Sequence, residues 1–305
     1  MHRFAWLPLA ERLDPAWVDA IWTQWKERYG MPDNGWAWHP YTAGERLVNL
    51  TSFCEHYGVP GSRRDTLDVL LRHGVTIFER LEYFGETETG NHLANNGRGL
   101  FLGGLALRQD NWIEVGAQIL VREAQRMFGP SGMLREGSSH YHLLCARWYR
   151  ECADAAHRVA HHEAPTLEDI AVRAAQAARL LILPAGLPLI GDVSPDCPPD
   201  KLIPNDSLEA SPHLGAKSAD GWLRCESGKW SALSYVSPDG WTPSPGHGHR
   251  DFGSAELHFA GTRILCDLGR RSYGPAGDSD IGSAAHNSLT IDGVEPYPPN
   301  KPYYD

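Results

Sequence analysis

From residue 14 to about 182 the apolar positions recur with a helical period, and beyond about 187 the pattern becomes that of strands, so the chain changes class near Pro184. Asp14-Pro15 supplies an N-cap and a first-turn proline, after which Trp17, Ile21, Trp25 and Tyr29 recur along one face. Gly30 and Pro32 end that helix. A second is expected from about Tyr41 to His56, with Ala43, Leu47, Leu50 and Cys54 inward and Gly58 and Pro60 as terminators. The segments Leu67 to Phe84, Leu93 to Leu107, Trp112 to Phe128, Ser139 to His157 and Thr166 to Leu183 bring the set to about seven helices.

Short polar or glycine-bearing loops join these segments, which suits antiparallel helix hairpins arranged as a barrel or solenoid of pairs. Gly97, Gly99, Gly103 and Gly104 weaken one helix, and close approach by a neighbouring helix or ligand is a reason to keep them. Pro184, Pro188, Pro195, Pro198, Pro199, Pro204 and Pro212 mark residues 185–215 as a connector. Beyond it, strands are expected at Trp222–Ser227, Trp230–Ser237, Ser254–Ala260, Arg263–Asp267 and Ser288–Asp292, as in an antiparallel sandwich. The expected organisation is therefore a helical domain over residues 1–184, the connector, and a β domain over 216–305.

With 305 residues, 42% hydrophobic and 22% charged, the chain is of globular composition and long enough for two cores. A formal net charge of −10 without a Lys/Arg run argues against a nucleic-acid partner, but not against an acidic sugar polymer held by short-range Arg and His contacts. Eleven Trp and eleven Tyr could supply stacking surfaces for sugars, although most are expected in the core. The six cysteines show no paired spacing and read as buried thiols. No window is apolar enough for a membrane span, and the N-terminal residues do not resemble a signal peptide.

Two sets of residues carry chemistry. Gly246-His247-Gly248-His249-Arg250-Asp251, Asp267 and Ala285-His286-Asn287 scatter His and Asp over about forty residues of β-like sequence, as a fold-assembled divalent-metal site requires. Regular strand geometry would point His247 and His249 to the same side, so separate roles need the irregular backbone that Gly246 and Gly248 permit. Asn91-His92 and Tyr141-His142 lie in the helical half. They suit removal of a proton α to a carboxylate, a step that needs a donor to neutralise the carboxylate and a base at the carbon.

Asn91 has the amide for the first task and Tyr141 the phenol for the second. Ser138 or Ser139 as N-cap would place Tyr141 in a first helical turn, where the positive helix end favours a phenolate. His92, His142, Arg135 or His247 could add charge or accept the proton. The structural alternatives are that Asn91 is an N-cap and Tyr141 a core residue with a satisfied hydroxyl.

Five ordered segments now carry a resemblance: Trp36-Ala37-Trp38-His39-Pro40-Tyr41 with Glu45-Arg46; Asn91-His92-Leu93 with Asn96; Arg135 through His142; Gly246 through Asp251; and Ala285 through Ser288 with Ile291-Asp292-Gly293. Together they resemble the heparinase II/III-like polysaccharide lyases. The resemblance implies an incomplete (α/α) toroid followed by an antiparallel β-sandwich. It also implies cleavage of a uronic-acid-containing polysaccharide by β-elimination, with Asn91 neutralising the carboxylate, Tyr141 as base and acid, and His92 and His247 assisting. Tyr41, Arg46, Arg135 and His142 would be substrate contacts. His249, Asp267 and His286 would hold a structural zinc, and the location would be periplasmic or secreted. A non-catalytic glycan-binding or envelope-polysaccharide assembly protein on the same scaffold is the alternative. Relatives extend further in the sandwich, which makes this chain a fragment by comparison.

Overall fold

The computed structural model describes residues 2–86, 88–203, 215–236, 246–273 and 275–295. Seven long helices come first: α1 (Pro15–Tyr29), α2 (Pro40–Tyr57), α3 (Arg63–Glu79), α4 (Asn91–Leu107), α5 (Asp110–Met127), α6 (Ser139–Arg158) and α7 (Ala164–Leu181). Five strands follow: β1 (Gly215–Ala219), β2 (Trp222–Ser227), β3 (Trp230–Tyr235), β4 (Ala255–Phe259) and β5 (Thr262–Leu265). They form one antiparallel meander in the order β1-β2-β3-β4-β5. Strand β1 was not expected from the sequence. The expected strand at Ser288–Asp292 is absent, and Ile291 makes only an isolated bridge to Val294. Pro204 and Pro212 of the connector and the end of the expected strand at Ser237 lie outside the described residues.

Two compact units partition the chain, one of Met1–Gly85, Asn91–Ala124 and Asp154–Ala164, the other of Glu86–Gly90, Gln125–Ala153 and Pro165–Asp305. The change of secondary-structure class near Pro184 is thus not where the units part. In the first unit the side chain of Asp14 accepts from the Ala16 amide and caps α1. The buried residues of α1 are Val18, Trp22 and Trp25, whereas Trp17 is exposed, so the inward face is turned from the one the four-residue spacing suggested. Trp22 and Trp25 stack with ring centroids 5.1 Å apart, and Trp22 donates its indole N–H to Thr66.

The glycines of α4 serve close helix packing. A Cβ on Gly99 would lie 2.9 Å from the Cα of Gly44 in α2, and one on Gly103 would strike Leu47. In the second unit, Arg224 of β2 donates to the carbonyls of Arg179 and Ile182, satisfying the C-terminal end of α7. Cys145, Cys152 and Cys197 are buried as expected, but Cys225 and Cys266 are exposed; all six are free thiols. Among the described residues no helix is long and apolar enough to cross a membrane.

Candidate active site and metal centre

Asn91 is the first residue of α4 and is buried; His92 follows it. His92 Nδ1 lies 2.7 Å from Glu82 Oε1, and Asn96, one turn further on, donates to Glu82 Oε2 while its own carbonyl accepts from the Glu82 amide. An ionised carboxylate only accepts, so His92 Nδ1 carries the hydrogen. Burial disfavours the Glu82 carboxylate, yet the hydrogen bond and charge of His92, with His39 and Asn96, hold it below its ordinary range. The Tyr41 ring packs against His92 with centroids 4.4 Å apart. Sequence reasoning missed Glu82, which sits in an irregular stretch and carries no motif.

Two expected substrate contacts are corrected by burial. Arg46 is wholly enclosed, with its guanidinium donating to His73, to the carbonyl of His2 and to that of Ala37. Every edge of the fork is thereby occupied inside the fold. His142 accepts from the Leu134 amide at Nδ1 and faces the carbonyl of Ala174 with Nε2, so it too is structural. Arg135 is exposed on the surface.

In the second unit Ser138 is the N-cap of α6, because its hydroxyl accepts from the Tyr141 amide at 3.0 Å. That places Tyr141 in the first turn, where the helix dipole favours negative charge. The Tyr141 ring stacks on His247 with centroids 3.5 Å apart and planes 13° from parallel. Its hydroxyl meets that of Tyr273 at 2.9 Å, and the Arg270 guanidinium lies over the Tyr273 ring. Tyr273 carried no signal in the sequence, and neither did Asp192. The latter receives His247 Nδ1 on Oδ2 at 2.9 Å and His249 Nε2 on Oδ1 at 2.8 Å. Burial opposes its ionisation, but the hydrogen bonds and charge of these two histidines hold the carboxyl well below the usual carboxylate range. The backbone from 246 to 250 is irregular, as the glycines permit, yet the two rings share this one carboxylate.

Behind this pair lies a cluster of donors. His249, Asp251 and His286 each place one ligand atom within 4.8 Å of the others. His249 Nδ1, Asp251 Oδ2 and His286 Nε2 are all buried without a hydrogen-bond partner. A cluster this close, with one buried atom of each residue left without a hydrogen-bond partner, fits a divalent cation, since leaving such atoms unpaired in a dry interior is costly. Burial pushes the Asp251 carboxyl up to about 6 against the lowering effect of the two histidines. Asp267, expected among the ligands, is engaged differently: its oxygens accept from His286 Nδ1, the Gly269 amide and the Ser254 hydroxyl. Asn287 ties the ends of β4 and β5 by donating to the carbonyls of Ala255 and Cys266, which fixes the position of its neighbour His286.

A helical region with a carboxylate-held histidine, followed by a sheet whose end carries a His/Asp cluster, defines the class. The chain belongs to the heparinase II/III family: residues 9–169 match the heparinase II/III N-terminus and residues 211–303 the heparinase II/III-like C-terminal region. The fold is similar to a crystal structure of heparinase III, with a TM-score of 0.71 and 18% identity over 91% of this chain and 51% of that one. A mutant of the heparan sulfate lyase HepC from Pedobacter heparinus gives a TM-score of 0.61 and 17% identity, over 92% of this chain and 50% of that one. At such identities the likeness is one of fold, and the fold class is the expected incomplete helical toroid followed by an antiparallel β-sandwich. The chain spans about half the length of these solved structures. No curated protein sequence matches.

Proposed function

We propose that the chain is part of a polysaccharide lyase that cleaves a uronic-acid-containing polysaccharide by β-elimination. The observation that carries the reading is the Tyr141 phenol, placed in a first helical turn, stacked on His247 and hydrogen-bonded to Tyr273. Family membership and the solved lyases of like fold support the substrate class. An acidic glycan such as alginate or heparan sulfate is the partner, and a periplasmic or extracellular location is the one that family membership supports.

In this mechanism Asn91 donates to the uronate carboxylate and limits the charge that builds as the C5 proton leaves. Tyr141, as phenolate, takes that proton; the electron pair forms the C4–C5 double bond and the C4–O bond breaks. The same phenol returns the proton to the leaving oxygen. The helix N-terminus and the Tyr273 hydroxyl lower the energy of the phenolate, and His92 and His247 offer their Nε2 atoms as auxiliary proton sites.

Zinc fits the convergent donors of His249, Asp251 and His286, with Asp267 assigned to orienting His286 rather than to the metal, because hydrogen bonds already occupy its oxygens. When bound, the metal would hold the loop bearing His247 and His249 in place. The test is incubation with alginate, heparan sulfate and other glycuronans while following ultraviolet absorbance of an unsaturated product. Tyr141→Phe is expected to lower turnover by about 1,000-fold or more with the fold intact, since base and acid are lost together. Product formation at the wild-type rate by Tyr141→Phe removes this residue from the chemistry. Binding without product by the intact protein would point to a glycan-binding protein instead.

A further inference from the structure

We propose that Asp192 is a positioning residue that serves both halves of this site, fixing the proton of His247 on Nδ1 and turning Nδ1 of His249 toward the metal donors. The inference deepens the lyase reading and rests on it for its catalytic consequence. Its carboxylate lies in the segment that reads as a proline-rich connector, 55 residues before His247 and 57 before His249.

An ionised carboxylate accepts and never donates, so both ring nitrogens that meet it carry hydrogens. The bond to Asp192 therefore fixes the hydrogen of His247 on Nδ1, and its Nε2 lies 3.6 Å from Glu136 Oε2. For His249 the same bond places the hydrogen on Nε2 and leaves Nδ1, buried without a hydrogen-bond partner, as the atom it can bring to the cluster with Asp251 and His286. Carboxylate, imidazole and metal in series form a common way of orienting a ligand and raising its basicity.

The backbone around Asp192 is fixed with equal care. Its amide donates to the His247 carbonyl at 2.7 Å, and its carbonyl accepts from the Ser138 hydroxyl at 2.7 Å. That same hydroxyl accepts from the Tyr141 amide. The preceding Gly191 has φ +78°, and a Cβ there would meet the carbonyl oxygens of Gly137 and His247 at 2.5 and 2.7 Å. One residue therefore links the cap of the proposed base, the ring and backbone of His247, and the ring of His249.

Asp192→Asn keeps the shape but not the capacity. The amide has one accepting oxygen and one donating nitrogen, so it can accept from one ring only. If the oxygen faces His247, the nitrogen forces the hydrogen of His249 onto Nδ1 and removes a metal donor; if it faces His249, His247 must change tautomer. The experiment compares the full wild-type chain with Asp192→Asn in three readouts: long-range proton–nitrogen NMR of the histidine rings, zinc affinity by chelator competition, and kcat and KM on the glycuronan that the wild type cleaves. The expected results are altered ring-nitrogen signals at His247 or His249, together with a loss of roughly 10–100-fold in zinc affinity or in kcat, with KM little changed. Unchanged ring signals and unchanged zinc affinity in a folded variant overturn the proposal. Should Asp192→Asn fail to fold, the wild-type spectrum decides alone: an unprotonated Nδ1 on His247 overturns it. A wild type without lyase activity sinks the lyase reading, while the ring and zinc measurements still judge Asp192.

Discussion

Two pairs of histidines with enclosed side chains differ in kind. His140 and His142, at the start of α6, use both ring nitrogens on the backbone: His140 accepts from the Ser194 amide and faces the Cys197 carbonyl, as His142 does with Leu134 and Ala174. His249 and His286, in the segments flanking β4 and β5, each give one nitrogen to a carboxylate and leave the other without a partner. Burial is similar in the two places, and so is residue type. The difference is leftover bonding capacity: the first pair spends both nitrogens on the fold, and the second keeps one nitrogen each, which the proposed zinc would use.

The largest effect that would break this comparison is on metal. His286→Ala is expected to reduce zinc affinity by more than about 100-fold, since even outer partners of a metal ligand are worth about 10–100-fold. Asp251→Asn should also lose zinc severely, and Asp267→Asn less so. His142→Ala should keep its zinc while losing stability by about 1–3 kcal/mol, because the Leu134 amide is left without an acceptor. Metal analysis after gel filtration, with thermal melts before and after chelation, makes the measurement. Zinc retained by His286→Ala, or lost equally by a folded His142→Ala, would show that the two kinds of histidine are not different.

The same contrast explains what the sequence reveals. All seven helices are legible, because apolar period, Asp14-Pro15 and the glycine terminators are local signals that capping and packing then honour. Tyr141 in a capped first turn is legible for the same reason, while the choice of Ser138 over Ser139 as the cap is made only by the fold. Trp17 misleads, since spacing alone leaves the helix rotation open by one residue. What sequence hides is the partner of each histidine. Glu82, Asp192 and Tyr273 reach their partners from 10, 55 and 132 positions away, on stretches with no period or motif. Asp251 and Asp267 look alike in the sequence; only the fold shows that Asp251 keeps a buried oxygen without a hydrogen-bond partner while Asp267 accepts from His286. Arg46 erred the other way, because a motif residue can be conscripted by the core.

A second test acts through pH. Burial, opposed by the hydrogen bonds to Cys197 and Ala174, lowers both His140 and His142 to about 4 from an ordinary 6.5. A depressed folded-state value means that the unfolded chain binds the proton first. Each ring's contribution is therefore fully present above about pH 6.5 and is lost as pH falls toward 4, by up to about 3 kcal/mol per ring. Urea unfolding from pH 7.5 to 4 should show that slope, and His142→Asn, which cannot titrate, should flatten it. An unchanged slope in the variant would mean that His142 is already charged in the folded protein.

The smallest effect concerns the serine that joins the two regions. Ser138 caps α6 at the Tyr141 amide and donates to the Asp192 carbonyl, so Ser138→Ala removes one acceptor and one donor at a single atom. Loss of an N-cap alone is worth about 1 kcal/mol, which for a domain of 150–250 residues lowers Tm by about 2–4 °C. Ser138→Thr keeps the hydroxyl and should restore most of the stability, provided its methyl finds room. The informative readout is zinc: if the histidines at the metal depend on the Asp192 side chain rather than on its backbone tether, zinc affinity should change less in Ser138→Ala than in Asp192→Asn. Equal loss in the two would shift the credit from the carboxylate to the loop that carries it, and the distinction between kinds of histidine would then rest on main-chain packing.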